Sequence, residues 1–357
     1  MQTTQKQHTT ANVDRPQLEE LRPTALSEFG GQPDVIRELG IVLGAAKQRG
    51  ELSDHLLFRG PPGLGKTTLA GIVARDLGLT LVATSGPAIE RPGEIASLLT
   101  GLGPKSCLFI DEIHRLPKSC EEVLYTAMED GHLDLMVGEG AKARSVRISL
   151  EPFLLIGATT QAGMLSAPLR DRFGFAPRLR LYDDEALGNI VERSASILGI
   201  AVDRQAALLI ASRSRGTPRV ANKLLKRVRD WAQMNDRDQV EAAVATQALN
   251  DFGIDAAGLD YLGREILSAL CVKFGGGPVG LNTLAAAVGE AAATLDEVYE
   301  PYMMHRGLLM RTPRGRCATE SAFAHLGLAV PARFLAETAL AEKGEAEIET
   351  VTLFDPS

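Results

Sequence analysis

The sequence predicts an α/β fold with a parallel sheet between helices, followed by an all-helical region and a small domain of helices closed by a hairpin. Three observations carry this. Four short apolar runs, at 55–60, 79–85, 105–112 and 153–160, are separated by helix-length segments. A glycine-rich loop at 60–67 lies between the first run and a helix. After Tyr182 the strand-like runs give way to helical periodicity.

The chain opens with a polar stretch, 1–20, that reads as a flexible tail, and LRPTALSEFGGQPDVIRELG then reads as a loop and a helix. HLLFRG (55–60) is a short apolar strand, followed by a helix over 66–77, and LTLVATS (79–85) is strand-like. KSCLFIDE (105–112) and FLLIGATT (153–160) are near-continuous apolar runs, the pattern of parallel strands covered on both faces. Between these two lies DLMVGEGAKARSVRISL (134–150), read as a hairpin with Gly138, Gly140 and Lys142 near its tip. Its apolar positions are Leu135, Met136, Val137, Val146 and Ile148, so it is a candidate docking feature.

Helices are predicted over 184–198, 204–214, 218–234 and 239–250, with Phe252-Gly253 ending that region. Three more follow, over 260–272, 281–287 and 291–304, and GLLMRTPRGRCAT (307–319) reads as two short strands around Pro313-Arg314-Gly315. Three helices and a hairpin is the winged-helix order, a DNA-binding arrangement. The expected domains are 21–182, 183–254 and 255–330, with an acidic tail over 331–357.

A length of 357 residues suits two or three domains, each able to bury a core. With aromatics at 5%, those cores are expected to be built from Ala, Leu, Val and Ile. Neither a secretory signal nor an apolar run of the ~20 residues that span a membrane is visible. Cys107, Cys120, Cys271 and Cys317 are scattered, which argues against a disulfide framework or a zinc site and fits a reducing cytoplasm. The net charge of −7 argues against a nucleic-acid binder, but its distribution argues the other way. Seven basic residues and no acid lie between Arg213 and Arg229, and four arginines and no acid between Arg306 and Arg316.

Gly60–Thr67 satisfies G-x-x-x-x-G-K-[ST], the P-loop. Its glycines, Gly63 and Gly65 among them, let backbone N–H groups cradle phosphate oxygens at a helix N-terminus. Lys66 is expected on the β and γ phosphates and Thr67 on Mg²⁺. The strand LFIDE carries Asp111, expected to orient the Mg²⁺ shell, and Glu112, expected to polarise the attacking water. Asp-Glu-Ile-His (111–114) also resembles the DExH box of helicases, but those enzymes need a second motor domain and only one P-loop is present.

The runs LRP, GPPGLGKTTLA, TSGP, LFIDEIHRL, MEDG, GATT, PLRDRFG, RGTPR and RTPRGR together resemble the RuvB family of AAA+ ATPases, motors of Holliday-junction branch migration, from Leu21 to Leu328. The resemblance implies a P-loop AAA+ domain, a helical lid domain and a C-terminal winged-helix domain, assembled as a homohexameric ring around double-stranded DNA. ATP would lie between subunits with Mg²⁺. Thr160 resembles the first sensor, Arg172 rather than Arg170 the arginine finger acting on a neighbour's nucleotide, and Arg219 the second sensor. Leu21, Arg22 and Tyr182 match the adenine-side positions, Thr68 joins the P-loop set, and Glu129-Asp130-Gly131 matches a segment near a nucleotide. Arg311 and Arg316, with Arg314 in the same wing, match DNA contacts, and a RuvA-like junction-binding partner would dock on the 134–150 hairpin. Two features depart from the family: Ala291-Ala292-Ala293 stands where a charged stretch is usual, and Arg59 precedes the P-loop where an apolar residue is usual. Another AAA+ remodeller, such as a clamp loader or protein unfoldase, would share the ATP chemistry, as would an ATP-gated DNA-binding regulator.

Overall fold

The computed structural model describes residues 20–137, 144–332 and 334. Most of both expected tails, and the hairpin tip with Gly138, Gly140 and Lys142, lie outside the described residues. The chain divides into two compact units between Leu249 and Asn250.

The first unit begins with helix α1 (Pro33–Arg49). Proline sits in its first turn and Gly50 ends it in the left-handed conformation. Its buried stripe of Val35, Leu39, Leu43 and Ala46 follows helical spacing. Strand β1 (Leu56–Arg59), helix α2 (Lys66–Asp76), β2 (Thr80–Ser85), α3 (Pro92–Thr100), β3 (Ser106–Asp111) and α4 (Lys118–Asp130) then alternate. The expected hairpin forms as β4 (His132–Val137) against β5 (Arg144–Ser149), antiparallel, with Leu133 opposite Ile148 and Leu135 opposite Val146. Strand β6 (Phe153–Thr159) and the short helix α5 (Ala167–Asp171) complete this part.

Strands β1, β6, β3 and β2 form one parallel sheet in that order. Composition explains the order. Strand β6 is buried at all seven positions and β3 at five of six, so they take the centre, whereas β2 is mostly exposed or half-buried and takes an edge. The helix behind β3 packs Leu124 and Ala127 into the cluster formed by Leu57, Leu108, Ile110 and Leu155.

The helical part holds α6 (Asp184–Ile197), β7 (Ala201–Val202), α7 (Arg204–Ser212), α8 (Pro218–Met234), β8 (Gln239–Val240) and α9 (Ala242–Asp251). Asp183, Asp203 and Thr217 cap three of these helices through their side chains. The helix expected over 239–250 needs correction: Gln239–Val240 pairs in parallel with Ala201–Val202, and the helix starts at Ala242. Val240 is β-branched and buried, which favours the strand.

The second unit contains α10 (Tyr261–Ser268), α11 (Leu281–Ala287), α12 (residues 292–305), the antiparallel hairpin β9 (Leu309–Thr312) and β10 (Gly315–Ala318), and α13 (Glu320–His325). Leu267, Leu270, Leu284, Leu295, Met303, Leu309 and Phe323 form its core. The winged-helix order is therefore present. Two expected helices are less regular than their patterns: Ala269–Lys273 and Leu295–Tyr299 are π turns, the second inside α12.

Among the described residues no helix is long and apolar enough to cross a membrane. Cys107, Cys120 and Cys271 are buried free thiols, and burial pushes the Cys107 thiol up to about 12.

His55 marks the start of the sheet. Its Nδ1 accepts the Leu155 N–H at 3.0 Å, which requires a lone pair there. Burial drives its pKa down to about 4 from 6.5, opposed by the nearby charge of Asp54. The unfolded chain therefore takes up this proton near pH 6.5 and the folded chain only near 4. The stability tied to neutral His55 is complete above the upper value and is lost as pH falls through the window, by an amount on the order of 3 kcal/mol. Urea unfolding at pH 7 and pH 4.5 should show a smaller acid loss in His55→Asn, whose amide oxygen can still accept the Leu155 N–H. An unchanged pH dependence would remove His55 from this role.

Candidate functional site

The C-terminal edges of β1, β3 and β6 bring the sequence-predicted residues to one side of the sheet. Gly60 N–H donates to Thr159 O at 3.1 Å, so the P-loop leaves β1 directly beside the end of β6. The loop then turns through Gly63 (φ 82°) and Gly65 (φ 96°). A Cβ at Gly63 would stand 3.2 Å from Arg219 Cβ, so the close approach of the two segments favours glycine there. Lys66 opens α2 and is buried, its ammonium donating to the carbonyls of Gly60 at 2.7 Å and Pro61 at 2.9 Å.

A cavity of about 340 Å³ lies over this loop, within the size range of small-molecule sites. Its floor is the P-loop from Gly63 to Thr68, and Asp111 and Glu112 line it beside the loop. Leu21, Arg22, Phe29 and Gly30 come from the segment before α1. Tyr182, Ile190, Arg193, Pro218, Arg219 and Asn222 come from the helical part.

Thr67 Oγ1 lies 3.4 Å from Asp111 Oδ2, and Asp111 Oδ1 accepts the Glu112 N–H at 3.0 Å. A hydroxyl and a carboxylate oxygen are the hard donors that Mg²⁺ takes, and two protein ligands leave room for water and phosphate. Among the described residues no group of three or more His, Cys, Asp or Glu side chains could form a closed cage. The residues fit a cation shared with a phosphate ligand.

Glu112 has a left-handed backbone, φ 47°, a strained geometry of the kind that gathers at functional sites. Its Oε2 accepts from Thr160 Oγ1 at 3.1 Å. Thr160 thus meets Glu112 directly, while Thr159 is buried and contacts His114. The carbonyl of Glu112 passes so close to Gly86 that a Cβ there would lie 2.3 Å from it.

The segment before α1 is held at both ends. Arg193 donates to Leu21 O at 2.9 Å and contacts Glu28 Oε2 at 3.3 Å, while Arg75 donates to Thr24 O at 2.9 Å. The Thr24 N–H holds the Glu28 carboxyl below the usual range, against a weaker effect of burial, and the Arg193 charge adds to it. Tyr182 donates its hydroxyl to Leu64 O at 3.3 Å, and burial keeps that phenol neutral.

Of the residues that the sequence assigns to the nucleotide site, five do not line the cavity. Thr160 stands behind Glu112. Glu129, Asp130 and Gly131 end α4, and Arg172 follows α5. Arg172 forms an ion pair with Glu129, donates to Tyr125 Oη at 3.1 Å, and places its guanidinium carbon 5.0 Å from the Tyr125 ring centroid. The Nε of Arg59, at the end of β1, is buried without a hydrogen-bond partner among the described residues.

In the second unit the wing arginines are partly occupied. Arg311 Nε donates to Glu300 Oε2 and Arg316 Nε to Glu300 Oε1, each at 2.7 Å, and Asp296 contacts both. Glu300 is fully buried. The Arg316 side chain is 17% exposed and that of Arg311 44%, so Arg316 faces inward the more. Arg314 is exposed at the turn.

Sequence reasoning missed Arg193, Ile190, Asn222, Tyr125, Asp296 and Glu300. The i, i+4 spacing of Asp296 and Glu300 within a helix was a usable signal, whereas Arg193 and Tyr125 carry no local one.

Three family models match the chain in series. The Holliday junction DNA helicase RuvB P-loop domain matches 21–179, the RuvB AAA lid domain 182–255, and the RuvB C-terminal winged helix domain 256–327. Among solved structures, the RuvB Holliday-junction branch-migration motor of Thermotoga maritima is 47% identical, covering 87% of this chain and 100% of that one, with a TM-score of 0.81. A lysine-to-arginine mutant of the same Thermotoga protein is similar at 47% identity over 87% of this chain and 99% of that one, with a TM-score of 0.82.

The Gly86–Glu112 contact gives a stability prediction. Gly86→Ala should lower the unfolding free energy by about 1–3 kcal/mol, the range for overpacking a filled site. Denaturant unfolding measures it, and a change below about 0.5 kcal/mol would mean that the Glu112 turn yields freely.

Proposed function

Since this chain belongs to the RuvB family of Holliday-junction branch-migration ATPases, we propose that it is an ATP-driven ring motor that moves double-stranded DNA and so migrates four-way junctions. One observation supports this above the rest: P-loop, acidic strand end and helical-part residues wall a single cavity. A ligand held there touches both sides of a joint, so a change at its phosphates is felt as a change in the angle between the two parts.

In this reading the backbone of the P-loop and the dipole of α2 bind the phosphates of ATP. Lys66 neutralises the β and γ phosphates. Thr67 and Asp111 would hold Mg²⁺, which supplies charge neutralisation between the phosphates. Glu112 polarises the attacking water, and Thr160, bonded to Glu112, senses the γ-phosphate. Leu21, Arg22 and Tyr182 hold the adenine side, Thr68 adds to the P-loop contacts, and Arg219 reports the γ-phosphate to the helical lid. Arg172, with Glu129, Asp130 and Gly131, lies outside the cavity of its own chain and serves the nucleotide of a neighbour. That arrangement needs a closed ring, taken as a homohexamer. Arg314 and Arg311, with Arg316 behind them, meet DNA phosphates without reading bases. The β4–β5 hairpin, with Val146 44% exposed, docks a RuvA-like junction-binding protein. The buried free thiols suit a reducing cytoplasm.

Two experiments test this. A synthetic four-way junction of arbitrary arm sequence, mixed with the protein and a junction-binding partner, should be dissociated with ATP and left intact with a non-hydrolysable analogue. ATP consumption with no junction movement would assign the motor another substrate. Arg172→Ala should lose about a thousandfold or more of its turnover while binding ATP within a few-fold of wild type, as expected for a finger. Turnover close to wild type would take Arg172 out of that role.

A further inference from the structure

His114 ends the Asp-Glu-Ile-His run, and the functional reading above leaves it unused. It lies on the short 3₁₀ turn Ile113–Arg115 directly after β3, and its side chain is 4% exposed. Its Nδ1 is 3.3 Å from Glu112 Oε2 and 2.9 Å from Thr159 Oγ1. We propose that His114 is a positioning residue for Glu112: with Thr160 it holds Oε2 of the carboxylate and leaves Oε1 to the attacking water. This rests on the reading of Glu112 as the group that polarises that water.

The proton assignment follows from the neighbours. We assign the hydrogen to Nδ1: the other tautomer, with the Thr159 hydroxyl donating to a bare Nδ1, would set the ring lone pair against those of the carboxylate. Thr159 Oγ1 accepts the Gln161 N–H at 2.9 Å and has a second lone pair for the ring. Oε2 of Glu112 receives the Thr160 hydroxyl at 3.1 Å and the Thr160 N–H at 3.4 Å, with the ring Nδ1 3.3 Å away. The adjacent threonines divide the work: Thr160 grips the carboxylate, and Thr159 fixes the ring that grips it from the other side. Among the described residues no hydrogen bond to Oε1 competes with water.

The backbone gives Glu112 little help. Its left-handed φ puts the side chain on a turn rather than a strand, so side-chain donors must set its direction. Loss of the ring donor should let the carboxylate rotate. A displacement near 1 Å costs up to about a hundredfold in rate. Nucleotide affinity should hold, because Lys66 and the loop amides bind the phosphates independently of Oε2.

The test is steady-state ATP hydrolysis by the full chain. His114→Asn places an amide N–H where Nδ1 stood, and His114→Leu fills similar space with no donor. We expect kcat to fall at least tenfold in the Leu variant with KM within threefold of wild type, and the Asn variant to recover kcat to within threefold. Equal losses in both variants, or a Leu variant within twofold of wild type, would overturn the proposal. Should the Leu variant not fold, Thr159→Val removes the ring's other anchor and should lower kcat with KM held; kcat within twofold of wild type there overturns it as well. Glu112→Gln separates the two levels, since normal hydrolysis in that variant rejects the parent reading instead.

Discussion

The parallel pairing of β1 with β6, and of β6 with β3, is the constraint on which the site depends. Parallel strands in register present their C-terminal ends along one edge, and Arg59 pairs with Thr159 while Ile110 pairs with Gly157. The P-loop, the acid pair and the threonine pair are far apart in sequence and meet only because three strands stop together. The sheet is anchored on the far side of β1 as well, where Leu179 N–H donates to Arg59 O at 2.8 Å and Arg59 N–H donates to Pro177 O at 3.1 Å. Those bonds lead straight into Tyr182 and the lid, so the strand that launches the P-loop also fixes where the lid begins.

From that edge the cavity is closed by contacts of different character. The Asp111 and Glu112 side is polar, built from side-chain contacts to Thr67 and Thr160 where the strand ends meet. The side formed by the segment before α1 is held from a distance, by Arg193 of α6 and Arg75 of α2. A single segment bonded to both parts resists their separation. A ligand that shifts the lid must therefore stretch or re-form the Arg193 contacts, and the partly exposed ion pair with Glu28 gives way more readily than a buried one.

Local motifs made much of this legible. The P-loop and the acid pair announce themselves because their chemistry needs consecutive residues, and β1, β3 and β6 do so because burial on both faces writes continuous apolar runs. What escaped was non-local. Arg193 and Leu21 are 172 positions apart, and nothing near either points to the other. The Gln239–Val240 strand is too short to show a period, so its apolar residue merged with the helix that follows. The π turns at Ala269–Lys273 and Leu295–Tyr299 change the hydrogen-bond step without changing the apolar pattern enough to be seen. At the wing, counting charge along the chain found four arginines and no acid between Arg306 and Arg316, but helix α12 places Asp296 and Glu300 against two of them.

That last difference changes how the wing should hold DNA. Two of its arginines face two carboxylates, and Arg306 and Arg314 are left with no ion pair among the described residues. A buried glutamate is tolerated because both guanidinium groups bond to it, and removing either partner would strand charge. The pairs thus fix the hairpin on its helix, while the exposed turn carries the uncompensated charge outward. Few phosphate contacts per wing would mean a weak hold with a shallow salt dependence. In the ring motor proposed above, a weak single hold would let each wing release and re-grip the duplex, and several wings would supply by multiplicity the retention that one lacks.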